Sequence, residues 1–462
     1  MDTEKLKQKI LDLAIRGKLV PQDSNNESAE ELIKKIQEEK AKLVKEGKIK
    51  ASKEESIIFK GSDNCYYEKT TKRIIKVDEN FEFPKSWISM KLGNIGDWGA
   101  GATPNRSNKS YYENGDVLWV KTGELNDGYI FDSIEKITTK ALNECSLRNN
   151  NIGDVLIAMY GATIGKLGIA AVPLTTNQAC CACTPFSFIN NEYLFYYLMA
   201  IKPLLISKSY GGAQPNISKE KITNCFINFP KIDEQILIVN KIKELFKKIE
   251  TIDNEYNSII NLISATKRKV LEEIFGENSS YKSYYKPTIS TNLSELIPND
   301  NIGDGDWVLT ENMDENGNYS LIQLKHVGYG QYIEKPYKHV NQSFFETNNC
   351  KEIKEDYILI NRLIADKMNV CILPQKGFKC ITAVDICWIA PSQTYNQKYI
   401  MYYLMSPTFQ NKVKMITSGT TRKRISKTNL IKIPMLIHEH NYQSKIVEEI
   451  ENAFKILDSI VS

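Results

Sequence analysis

The stretch Asp233 to Phe275 constrains the fold of this chain more than any other. It reads DEQILIVNKIKELFKKIETIDNEYNSIINLISATKRKVLEEIF, with apolar residues at Ile236, Val239, Ile242, Phe246, Ile249, Ile252, Tyr256, Ile259, Ile263, Val270 and Ile274. The steps between them are mostly three or four residues, the period of a coiled-coil seam and not of a strand. No Pro or Gly interrupts the run, and Gly276 follows as a stop signal. At 1.5 Å rise per residue, such a helix makes a rod roughly 60 Å long. An apolar stripe of that length needs a partner helix. A helical hairpin inside a larger core would satisfy it; a spacer fits better, because similar material lies on both sides.

A chain of 462 residues is long enough for two to four domains. Its 42% apolar and 25% charged content describe a soluble globular protein. No run of 18 apolar residues and no signal-peptide pattern is present, so a cytoplasmic protein is expected. The ten cysteines are scattered in apolar surroundings without a CxxC pair, which suggests reduced core residues. A net charge of +4 says little about a polyanionic partner, but its distribution says more. No acidic residue occurs between Asp385 and Glu439, and only Glu192 occurs between Asp154 and Glu220. A surface facing a polyanion would produce this, and so would solvated loops.

Around the rod the chain repeats itself. Residues 4–16 and 29–46 are expected to be amphipathic helices, followed by a polar linker over 47–80. From Phe81 short apolar runs alternate with turns. NIGDVLIAMYGATIGKLGIA is paralleled by IKEDYILINRLIADKMNVCIL, NNEYLFYYLM by NQKYIMYYLM, GGAQPNISK by SGTTRKRISK, and INFP by IKIP. One unit therefore occurs twice, roughly 205 to 208 residues apart. Furthermore, KQKILDLAI (Lys7 to Ile15) matches KRKVLEEIF (Lys267 to Phe275) position by position. Placed after the C-terminal helix, the N-terminal helix would complete a second rod. The expected fold is α+β: two globular domains separated by long antiparallel coiled-coil helices in a circular, pseudo-two-fold arrangement. The expected divisions are 1–80 (N-terminal helical segment and linker), 81–232 (first globule), 233–280 (central spacer helix), 281–437 (second globule) and 438–462 (C-terminal spacer helix).

No catalytic constellation assembles from this sequence. An Asp/Asn-Pro-Pro-aromatic motif for amino-methyl transfer is missing. Gly161 to Gly168 reads GATIGKLG, which lacks the spacing and the Ser or Thr of a phosphate loop. Triplets such as Glu38–Lys40 and Glu352–Lys354 have the form of nuclease motifs but no upstream Asp partner, and chance supplies them in a Lys/Glu-rich chain. His438 and His440 could ligate a metal; a polar loop at a domain edge is the simpler expectation. No nucleophile, base and orienting group come together. A non-catalytic protein without cofactor or metal is expected.

The segments WISMKLGNIG…GATP, NIGDVLIAMYGATIGKLGIA, TTNQA, GGAQPNISKEKI and INFPKIDEQILIVNKI resemble the target-recognition domain and adjoining helix of type I restriction-modification specificity subunits. The opening LKQKILDLAIRGKLVPQD is similar to a segment of the same family. In the second half GTTRKRIS stands in place of the Gly-Gln-Asn loop and HEHNYQ in place of DEQ, as two readers of different sequences would require. The resemblance implies that each globule reads a few base pairs in the major groove and that the rods set the gap between half-sites. It implies double-stranded DNA, methyltransferase subunits (two of them) and restriction/translocase subunits as partners. Lys and Arg would neutralise phosphate, while Gln, Asn and Arg offer paired donors or acceptors to base edges. The expected DNA-facing residues are Gln214, Asn216 and Lys219 in the first globule and Arg422, Lys423, Arg424 and Lys427 in the second, with Arg106, Lys109 and Lys166 as weaker candidates. A duplicated DNA-binding regulator and a scaffold that binds no DNA are the alternatives.

Overall fold

The computed structural model describes residues 2–21, 29–47, 56–70, 72–77, 82–207, 216–277, 279, 281–285, 288–417 and 423–461. The chain divides into two units, Met1–Asn254 and Glu255–Ser462. One helix of 44 residues, Ile232–Phe275, runs through the division. Asp233 and Glu234 in its first turn face the positive end of the helix dipole. Its apolar residues are not buried evenly. Ile238, Val239, Ile242 and Ile249 belong to the core of the first unit, and Leu271, Ile274 and Phe275 to that of the second. Between them Ile252, Tyr256, Ile259, Ile260 and Leu262 stay exposed. At the start of the expected seam Ile236 is exposed and Ile238 is buried, while Val239, Ile242 and Ile249 take the expected inward positions.

In the first unit an antiparallel five-stranded sheet runs in the order Phe226–Phe229, Ile88–Lys91, Ser56–Lys60, Tyr66–Thr70, Ile74–Val77. Residues 47–80, expected as a linker, therefore supply three strands. Their polar texture has a simple cause: only Ser56, Ile57 and Ile58 are buried, and Ile74–Val77 is an edge strand with Ile74 and Ile75 exposed. A second sheet carries Gly96–Ala100, Cys180–Pro185, Val155–Ala158, Leu167–Ala170 and Gly128–Ile130 in that order. Its central strands are apolar throughout because both faces are covered. Within it burial pushes the Cys180 and Cys181 thiols up to about 12. The second unit repeats its first four strands as Ile302–Asp304, Ile386–Ile389, Ile358–Asn361 and Val370–Ile372.

Each sheet is backed by an aromatic helix, Asn191–Ala200 in the first unit and Gln397–Met405 in the second. Asn190 and Asn396 cap them through their side chains. A buried glutamine then ties each cap to the helix that comes after the unit. Gln235 accepts from the Asn190 amide at 2.8 Å and donates to the Phe188 and Pro230 carbonyls, both at 2.9 Å. Gln443 accepts from the Asn396 amide at 2.8 Å and donates to the His438 carbonyl at 3.0 Å. So HEHNYQ keeps the glutamine of DEQ, while Glu234, which accepts from the buried Trp87 indole at 2.9 Å, has no counterpart there. His438 is buried at the end of a strand, its Nδ1 2.8 Å from the Tyr399 hydroxyl, and not in a polar loop. Gln235→Ala strands one buried amide and two carbonyls, and is expected to destabilise the first unit by about 3 kcal/mol. Hydrogen exchange resolved by unit checks this: protection should fall in the first unit only, and an effect under about 0.5 kcal/mol, as at an ordinary surface site, would contradict it.

The two units also share an ion pair with its signs exchanged. Glu192 meets Lys243 at 2.5 Å, and Lys398 meets Glu451 at 2.5 Å, in equivalent places between the aromatic helix and the long helix after it. Tyr196 edges onto Phe246 as Tyr402 does onto Phe454. Among the described residues no helix is long and apolar enough to cross a membrane, and no cluster of three or more His, Cys, Asp or Glu could hold a metal ion.

Candidate nucleic-acid interface

In the first unit four loops distant in sequence are stitched into one edge by backbone hydrogen bonds. Gly101 donates to the Cys180 carbonyl at 3.0 Å, Ala102 to Thr176 at 3.0 Å, and Cys180 to Asn177 at 3.1 Å. Met159 donates to Ala179 at 2.8 Å, and Ile217 to Met159 at 2.9 Å. The second unit repeats all of them. Gly305 donates to Ile386 at 2.9 Å, Asp306 to Thr382 at 2.8 Å, Ile386 to Ala383 at 2.9 Å, Arg362 to Asp385 at 2.9 Å and Ile425 to Arg362 at 3.1 Å. Glycine is needed where the edge closes: a Cβ on Gly101 would lie 2.1 Å from the Thr176 oxygen, and one on Gly305 2.2 Å from the Ala383 oxygen. Gly305→Val is accordingly expected to break the edge of the second unit and cost 2 kcal/mol or more, roughly, with the first unit unaffected. Unit-resolved hydrogen exchange checks it, and unchanged protection would count against the close approach.

The repeated Ile-Ser-Lys motif has a structural meaning at this edge. Ile217 and Ile425 are fully buried anchors. Ser218 and Ser426 cap the short helices Lys219–Thr223 and Lys427–Leu430 by accepting from the Lys221 and Asn429 amides. Lys219 and Lys427 therefore begin a helix just behind the edge, Lys219 exposed and Lys427 half-buried. Asn216 is exposed and bridged antiparallel to Tyr160. Lys423 and Arg424 form the equivalent strand, paired with Ile364 and Leu363, and both are exposed. Lys166, half-buried, sits in the turn between Val155–Ala158 and Leu167–Ala170. Gln214 and Arg422 lie outside the described residues.

Arg106 and Lys109 stand apart from this group in kind. The Arg106 guanidinium lies 4.7 Å from the Tyr112 ring centre and 4.8 Å from that of Trp119, and it donates to Glu135 at 2.7 Å. Two rings and a carboxylate hold it in place, so it braces its loop. Lys109 is exposed, with its ammonium 4.0 Å from Glu113.

Several edge residues carry no sequence signal of their own. In the first unit they are Thr103 and Gln178, which are hydrogen-bonded to each other, and Tyr160. In the second they are Asp306, Asp385 and Trp307, the last 68% exposed. The alignment of TTNQA with Ile381 to Asp385 could have pointed to Gln178 and Asp385. The second edge also departs from the charge expectation. Asp385 borders the acid-free window, and strand pairing brings Asp304 and Asp306, from a distant part of the chain, beside it. Arg362 is buried and paired with Asp304 at 3.2 Å, and Arg424 with Asp385 at 2.8 Å. Burial pushes the Asp304 carboxyl upward, while Arg362, Lys427 and Arg424 act in the opposite direction. The first edge is thus lined by neutral amides and hydroxyls, and the second by a network of charges.

The sequence pattern described as the type I restriction modification DNA specificity domain matches residues 84–261 and again 292–460. The chain is 26% identical over 368 residues to the type I restriction enzyme MjaIX specificity subunit of Methanocaldococcus jannaschii, covering 74% of this chain and 80% of that one. It is 22% identical over 405 residues to the MjaVIII specificity subunit of the same organism, covering 82% and 91%. A solved structure described under complex assembly and conformational transition of the type I R-M system superposes with a TM-score of 0.58 at 16% identity, covering 83% of this chain and 93% of that one. At that identity the likeness is one of fold.

Proposed function

The chain belongs to the family of type I restriction-modification DNA specificity subunits, and we propose that its two units read the two different halves of one bipartite DNA target. The observation that carries this is the pair of matching loop edges, built by the same backbone hydrogen bonds but lined with different side chains. One scaffold with two surfaces is what recognition of two unlike half-sequences requires. Residues 81–232 and 281–437 are the readers, and the helices within 233–280 and 438–462 fix the unread gap. The opening helix continues the closing one as a second, antiparallel rod, which closes the pseudo-two-fold circle.

The subunit is non-catalytic. It works on DNA in the cytoplasm by bringing methyltransferase subunits, two per chain, and restriction/translocase subunits to the chosen site. Asn216, Lys219, Lys423, Arg424 and Lys427 face the DNA, with Gln214 and Arg422 beside them in sequence. Lys109 and Lys166 contribute charge toward phosphate, and Arg106 positions the loop that carries Thr103.

Coexpression with its methyltransferase in a host free of that modification, and then methylome sequencing, tests the proposal. The expected motif has two unlike halves whose centres lie about 10 base pairs apart, one helical turn of roughly 34 Å. A single contiguous or self-complementary motif overturns it. The purified chain supplied with S-adenosylmethionine, ATP and magnesium should neither methylate nor cleave DNA.

A further inference from the structure

We propose that Arg424, held by Asp385, reads a guanine in the half-site of the second unit. The inference rests on the reading that this edge faces DNA, and it names the base and the side chain that selects it. Arg424 lies on the strand Lys423–Arg424, locked to Leu363–Ile364 by pairing and to the core by the fully buried Ile425. Its Nε lies 2.8 Å from Asp385 Oδ1 in an ion pair. Among the described residues no side chain takes up its two terminal amino groups, and the side chain is 47% exposed. Asp385 is itself fixed, because the Arg362 amide donates to its carbonyl at 2.9 Å.

A guanidinium is planar, with parallel N–H bonds on its two terminal nitrogens, and an ion pair at Nε restricts where that plane lies. That fork matches the O6 and N7 acceptors that guanine alone presents side by side in the major groove. A cation meant only for phosphate needs no such fixed plane, and a lysine serves it equally well. The carboxylate also offsets part of the charge, so Arg424 is a weaker general attractor for phosphate than its exposed neighbour Lys423. The equivalent position of the first unit supports the assignment by contrast. There the residue bridged to the neighbouring loop is Asn216, whose amide suits adenine.

The test uses the full chain in complex with its methyltransferase, on duplexes carrying the target found by methylome sequencing. Wild-type complex should require a guanine at one position of the second half-site. Replacing that base by 7-deazaguanine, which lacks N7, should weaken binding several-fold. Arg424→Lys keeps the charge and loses the fork, so selectivity at that base pair should fall roughly ten- to one-hundred-fold. The same variant should be indifferent to 7-deazaguanine and leave the first half-site unchanged. Asp385→Asn should relax the same base pair without loss of affinity for unrelated DNA, the mark of a positioning residue. Wild-type binding that ignores 7-deazaguanine at every second-half guanine overturns the assignment whatever the variants do. So does a loss in Arg424→Lys that is uniform over all sequences, since that marks a phosphate contact. Both results leave the bipartite reading standing; that reading fails separately if the wild-type motif has no second half.

Discussion

Duplicating the four residues Glu255–Ser258 within the long helix is expected to lengthen the unread gap of the target and leave both half-sequences intact. The duplication falls where the two units divide and where apolar residues of the helix stay exposed, so no core side chain is displaced. Four residues add about 6 Å of rise and about 40° beyond one full turn. At 3.4 Å per base pair this is close to two steps along the duplex. Methylome sequencing reads the result directly. A gap longer by one or two base pairs with unchanged halves is the expected outcome. Altered bases with the original gap would mean that the helix does not set the spacing. The pairing of Lys267 with Asp458 at 2.6 Å and its stacking on Phe454 show where the closing helix would resist the change in rotation.

Removing residues 1–17 is expected to unfold the first unit or leave it open, while the second survives. In the second unit the end of the long helix packs on the aromatic helix, with Phe275 5.3 Å from Tyr399 and 5.2 Å from Tyr403. Leu271 and Ile274 are buried with it. The first unit has no such helix end of its own. Its aromatic helix is covered by the opening helix Thr3–Ile15, which buries Ile10, Leu11 and Ala14. Gln8 donates from that helix to the Ala200 carbonyl at 2.9 Å. Leu11 and Leu271 are matching residues of KQKILDLAI and KRKVLEEIF, and both are buried. Leu11→Ala alone should cost about 2–5 kcal/mol, and loss of the whole helix more. That approaches the total stability of an ordinary domain, about 5–15 kcal/mol. Hydrogen exchange should show protection lost across 82–207 and kept across 288–417. If the opening helix also continues the closing one, a permuted chain carrying residues 1–21 after Val461 should recover the lost protection. A permuted chain as open as the deletion would break the circular arrangement while leaving the packing of the first unit in place.

By itself the sequence determined the features that depend only on order along the chain. The three-and-four spacing of apolar residues specified the helix Ile232–Phe275, because a helix turns at a fixed angle per residue. Repetition at a nearly constant offset specified two related units, and it carried over to the Asn caps, the tyrosines and the Ile-Ser-Lys anchors, all local features. Tertiary structure decided which side chains share a surface. Tyr160, Gln178, Thr103 and Asn216 come from four separate segments and are joined only by hydrogen bonds between loops. The acid-free window did not foretell an acid-free edge, because Asp385 borders it and Asp304 returns to it across a strand pairing that no period encodes. The strands between Ser56 and Val77 were hidden for a related reason. A strand buried over only part of its length, or lying at a sheet edge, owes its structure to its neighbours' backbone groups, and backbone pairing leaves little mark on the identity of side chains.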